Sequence, residues 1–135
     1  MIRTALRVLL ALFYAFAGVA HLQNPGVFLA ITPDWVPYPA EVVALTGVAE
    51  LAGAFGLLIP RGWINWARPA AGIGLALYAL CVWPANFNHA LNNIAMGGET
   101  MSWWYHGPRL AAQPLLIWLA LWVGEATDWP FRKRN

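Results

Sequence analysis

The stretch EVVALTGVAELAGAFGLLIP, residues 41–60, decides the fold of this chain. It is long and apolar enough to cross a bilayer as a helix, yet Glu50 stands at its middle. A carboxyl group at that depth is costly, so it marks either a specific polar contact or a functional site. Gly47, Gly53 and Ala54 lie three or four positions from Glu50, on its own helical face. Small side chains let a neighbouring helix come close, and a close helix can supply a hydrogen-bond partner. Thr46, one turn back, is a candidate donor. Two readings stand. Glu50 is a structural carboxyl that locks two helices together, or it contacts a ligand or handles a proton.

The rest of the chain agrees with a membrane setting. Of its 135 residues, 60% are hydrophobic and 10% charged, against about 25% charged in an average globular protein. The length suits one domain, residues 1–135, and four spans of about 20 residues use most of it. The expected fold is all-α, a four-transmembrane-helix bundle, with helices at about 4–22, 40–59, 64–84 and 110–126. The first resembles a secretory signal peptide, with Arg3 and Arg7 ahead of an apolar run, but its length and bulk favour a retained helix. Val27 to Ile31 suggests a short amphipathic turn at the interface. Pro33, Pro37 and Pro39 then exclude a long helix. Pro84 is expected to bend or end the third span, leaving a polar loop from Asn86 to Pro108.

Cations set the orientation. They gather at Arg3 and Arg7, at Arg61 and Arg68, and at Arg132, Lys133 and Arg134, whereas the first loop has none. Both termini should therefore be cytoplasmic, in a membrane that we take to be a bacterial inner membrane. The net charge of +2 is a topology signal, and no nucleic-acid partner is expected. Most of the nine tryptophans fall near span ends, as in an interfacial belt. Cys81 is the only cysteine, which excludes an internal disulfide and a CxxC relay; it reads as a small buried hydrophobe.

This topology brings His21, Asn86, His89, Arg109 and Gln113 to the outer half of the bundle, with Glu50 deeper. These six are the candidate ligand-binding residues, and no catalytic residue is assigned. Each also has a structural explanation. His21 can cap carbonyls, His89 can be a loop residue, Asn86 can serve backbone freed by Pro84, and Arg109 can anchor phospholipid. Gln113 has the stronger case, since an amide inside a span needs a partner. Trp103, Trp104 and Tyr105 read as interface anchors before a ligand stack. Glu125, near the inner end, should face water or an arginine. No close ligand spacing supports a metal, so none is assigned, and haem held by His21 and His89 is less favoured than an organic ligand.

Three stretches resemble the DoxX-like family of small four-helix membrane proteins. They are Ala17-Gly18-Val19-Ala20-His21-Leu22 with Pro25 and Phe28, then Gly47-Val48-Ala49-Glu50 with Gly53 and Leu57-Leu58-Ile59-Pro60-Arg61, and Trp83-Pro84-Ala85-Asn86. The resemblance covers roughly the first two-thirds of the chain and implies a four-helix bundle. Some members look like subunits of quinone-linked oxidoreductases, so it also implies a link to a redox system and a quinone as possible cofactor. The leading expectation is a membrane subunit that binds an apolar small molecule, with quinone the one the resemblance favours, in an outward-opening pocket, alongside membrane lipid and a redox or other membrane protein partner. The alternatives are a non-catalytic assembly factor for a membrane complex, and a lipid- or sterol-modifying enzyme using Glu50 as acid or base.

Overall fold

A computed structural model describes residues 1–131. The cations at 132–134, part of the orientation argument, lie outside the described residues. Every element is a helix: α1 (Ile2–Gln23), α2 (Pro25–Ile31), α3 (Pro39–Leu58), α4 (Ala67–Leu91) and α5 (Trp103–Val123). Helix α1 packs on α3, α3 on α4, and α4 on α5, and α5 closes the ring against α1. Helices α3 and α5 are therefore diagonal. Three helices, α1, α3 and α4, are long and apolar enough to cross a membrane.

The packing is inverted relative to a water-soluble bundle. On α3 the buried stripe is Val43, Gly47, Glu50, Gly53, Ala54 and Leu57, at spacings of three and four. The bulky Leu45, Val48 and Phe55 face outward. Small residues inside let backbones approach, as expected where lipid removes the hydrophobic drive between helices. A Cβ on Gly18 would lie 2.7 Å from Gly47 O, so these two glycines seat α1 directly on α3. A second seam joins α4 to α5 at Gly72 and Gly124, where a Cβ on Gly124 would lie 2.6 Å from Gly72 Cα.

One end of the bundle is tied by charge. Arg7 Nε donates to Val123 O at 2.8 Å, and its Nη2 meets Glu125 Oε1 at 2.6 Å. Arg61 Nε, from the loop between α3 and α4, donates to Glu125 Oε2 at 2.6 Å. Arg68 Nη1 is 3.5 Å from Glu125 Oε1, and its Nε donates to Ile59 O, so this arginine turns inward. Arg3 bonds Asp128 and the Trp122 and Thr127 carbonyls. The start of α1, the α3–α4 loop and the end of α5 thus share one end, as the charge pattern required. Burial alone would raise the Glu125 pKa. The Arg61 hydrogen bond and the charges of Arg7, Arg61 and Arg68 outweigh it and hold the carboxyl below the ordinary carboxylate range.

Two helices differ from expectation. Helix α4 does not end near Pro84 but runs to Leu91. Helix α5 starts at Trp103, before Pro108, instead of at 110, and ends at Val123 instead of near 126. Proline breaks a water-exposed helix by leaving a carbonyl unpaired and pushing on the preceding turn. Packed helices tolerate it when neighbours serve the loosened carbonyls. Here Pro84 frees the carbonyl of Leu80, and one residue before it Gln113 Nε2 donates to Ala79 O at 2.7 Å, which ties this part of α4 to α5. The expected polar loop contracts to residues 92–102, with Met96 and Glu99 paired around Gly97 and Gly98. Both glycines have positive φ, 64° and 91°, the conformation this tight turn demands.

Candidate functional site

Between the helices, away from the charged end, lies a cavity of about 540 Å³. This falls in the range of small-molecule sites. All five helices contribute. Tyr14 and Tyr78 stand in one wall, ring centroids 5.9 Å apart and edge to face. Leu10, Ala11, Leu57, Leu75 and Val123 fill the bundle as its core. Helix α2 and the Thr32–Val36 loop cover the cavity with Phe28, Ile31, Trp35 and Val36. Asn88 Nδ2 ties this cover to α4 by donating to Ile31 O at 3.0 Å, and Thr32 Oγ1 closes α2 by donating to Phe28 O.

Five of the six candidate residues, His21, Glu50, Asn86, Arg109 and Gln113, line this one cavity. His89 stands behind the wall and touches Arg109. The deepest polar pair is His21 and Glu50. His21 Nδ1 lies 2.9 Å from Glu50 Oε2 and 3.0 Å from Ala17 O. One N–H cannot serve both acceptors. It is aligned on the Ala17 carbonyl, the acceptor one turn back on its own helix. Glu50 Oε2 is left close to a polar nitrogen, without an aligned hydrogen bond, although Glu50 is only 2% exposed. Phe28 stacks on the other side of the imidazole, centroids 3.6 Å apart, which fixes the ring plane.

Arg109 supplies the second polar group. Its Nη1 is 2.9 Å from His89 Nδ1, and its guanidinium lies over the Tyr105 ring at 5.6 Å. A guanidinium only donates, so His89 Nδ1 is the acceptor and its ring proton sits on Nε2. His89 is fully buried, not a loop residue, because α4 continues past Pro84. Behind it His106 is buried at 2% exposure, ring to ring with His89 at 4.6 Å.

Several side chains differ from their sequence reading. Thr46 lines the cavity but donates to Val43 O at 2.7 Å, not to Glu50. Cys81 is exposed, at the rim of the cavity, because the small residues of α4 and not its cysteine face the core. His106, grouped in sequence with the interface aromatics, is buried; only its register three positions before Arg109 on a helix could have shown this. The cavity's aromatic cover was equally hard to foresee, since Phe28 and Trp35 reach it only through the fold of α2 and the loop after it. Among the described residues, no three His, Cys, Asp or Glu side chains gather as a metal site would require.

The fold and site define a class: an all-α bundle with membrane-spanning potential and one apolar cavity carrying a few polar groups. The family described as "Domain of unknown function (DUF8561)" matches residues 10–124, and the chain belongs to it. No curated protein and no solved structure matches the chain.

Proposed function

We propose that this is an integral membrane protein whose four long helices all cross the bilayer, and that its cavity holds an apolar molecule by a polar head. The observation that carries the reading is Glu50. A buried polar atom without a partner costs about 1–3 kcal/mol, and native structures rarely keep one unless it has a task. Glu50 Oε2 has no aligned hydrogen bond, and it sits 2.9 Å from His21 Nδ1 in a cavity whose lining is mostly apolar. A hydroxyl on the ligand would donate to the carboxylate, and a carbonyl would accept from the protonated acid. The aromatic lining suits a flat ring. The resemblance to DoxX-like proteins favours a quinone and a place beside a redox system.

Glu50→Gln keeps the shape of the site and removes its titratable proton. We expect a melting temperature close to that of the parent in detergent, and at least a tenfold loss of quinone affinity. Glu50→Leu should weaken both, since it also strips His21 of its polar neighbour. Full binding by Glu50→Gln would make the carboxyl structural and end its role in holding the ligand or handling a proton.

The charged end lies at the cytoplasmic face in this proposal, with the cavity in the outer half. In a Cys81→Ser background, a membrane-impermeant maleimide added to intact cells should label the Thr100→Cys variant and not Gly62→Cys. The reverse pattern would overturn the orientation. A second reading, an assembly factor with no ligand, draws support from Trp103 and Trp104, which stand 61% and 90% exposed at the start of α5, where a partner could dock. A stoichiometric protein partner and an empty organic extract would favour it.

A further inference from the structure

We infer that Arg109, held in place by His89, is a second anchor for the ligand, so that the cavity selects molecules with oxygens at two opposite edges over molecules with one polar head. The inference rests on the cavity being a ligand site, as proposed above, and adds what distinguishes one ligand from another.

Arg109 differs from every other arginine among the described residues. Arg3, Arg7, Arg61 and Arg68 each lie within ion-pair distance of Asp128 or Glu125. Arg109 has no carboxylate partner among the described residues, only the neutral acceptor His89 Nδ1 and the face of Tyr105. One of its five N–H donors is accounted for by that bond. The rest belong to a half-buried guanidinium that lines the cavity, and a donor that a bound ligand closes off from water needs an acceptor on that ligand. Such a group calls for an acceptor oxygen.

The placement of the two anchors follows from the helix order. Glu50 comes from α3 and Arg109 from α5, the diagonal pair of the bundle. Packed axes lie 8–10 Å apart, so diagonal axes are separated by about 13 Å. The carboxyl and the guanidinium thus reach into the cavity from opposite walls, and they form no ion pair with each other among the described residues. Tyr14, Phe28, Trp35 and Tyr78 line the space they share. A para-quinone ring satisfies both ends, with one oxygen on Arg109 and the other on the His21–Glu50 pair. A sterol or a simple alcohol satisfies only one.

His89 acts through Arg109. It is buried, its Nδ1 accepts from Nη1, and it does not itself line the cavity. It is a positioning residue: without it the guanidinium is free to swing towards the lipid headgroups.

The test compares two probes on the purified full chain in detergent, followed by tryptophan fluorescence: decylubiquinone, with two ring carbonyls, and 4-decylphenol, with one oxygen. The wild type should prefer decylubiquinone. Arg109→Gln should weaken decylubiquinone binding about tenfold, the effect of losing one charge-assisted hydrogen bond, and leave 4-decylphenol unchanged. His89→Phe should lower the same ratio, and His89→Asn, which places an acceptor oxygen near the Nδ1 position, should restore part of it. If Arg109→Gln binds decylubiquinone as tightly as wild type, or loses both probes equally, the second anchor is refuted. The His21→Ala and Glu50→Gln variants separate that failure from failure of the cavity reading. If they weaken binding while Arg109→Gln does not, only the inference falls. If wild type binds neither probe, both fall.

Discussion

Glu125→Gln should lower stability by about 3 kcal/mol, the lower end of what removing one partner of a buried ion pair costs. The lower end applies because only part of the network is shielded. Arg7 and Glu125 have side-chain exposures of 7% and 13%, whereas Arg61 is 72% exposed and its bond is worth little. The loss arises at Arg7, whose guanidinium stays buried while its carboxylate is gone. Replacing Arg7 with Met in the same chain should therefore recover part of the loss. The pH dependence has a definite sign. The folded pKa of Glu125 lies below its ordinary value of 4.5, so this stabilisation is complete above that value. It is lost as pH falls through the lower, folded pKa. Melting temperatures from neutral pH into the acid range should show a fall in wild type that is smaller in Glu125→Gln. Identical acid profiles for the two proteins would rule out the clasp as a source of stability.

Gly72→Ala should destabilise by about 2 kcal/mol, although alanine is the better helix former. Propensity alone favours the substitution by about 1 kcal/mol. Against it, the new methyl would lie 2.6 Å from Ala120 O and 3.0 Å from Gly124 Cα. Both are backbone atoms and cannot rotate aside, so α4 and α5 must separate. Overpacking of this kind costs about 1–3 kcal/mol or more. Gly74 is the internal control. It lies two residues on, and a Cβ there meets nothing within 4 Å. Gly74→Ala should be neutral or stabilising by up to about 1 kcal/mol. Equal melting temperatures for the two variants would mean that the seam is looser than its geometry.

The central helix and its buried carboxyl were legible because two independent constraints met there. The cost of Glu50 in an apolar stretch and the small residues on its face named the same inward side. The shared end of Arg3, Arg7 and Arg61 was legible from charge alone. The length of α4 and the start of α5 were not. Pro84 and Pro108 carry a strong local signal to stop, yet both helices run through them, held by their packing against each other and by the tie from Gln113 to Ala79 O. Asn86, His89 and His106 were therefore placed in or beside a loop, when two helices carry them inward. The pairing of Arg109 with a neutral imidazole had no sequence signal. It depends on the registers of α4 and α5, which proline rules had hidden.

The bundle is welded at one end and hollow at the other. Its polar ties between α1 and α5 all sit at the Glu125 end, and a filled core lies between that end and the cavity. The molecule is therefore a cup and not a conduit. On the reading proposed above, a ligand held there would leave by the mouth through which it entered, because the welded end offers no second way out.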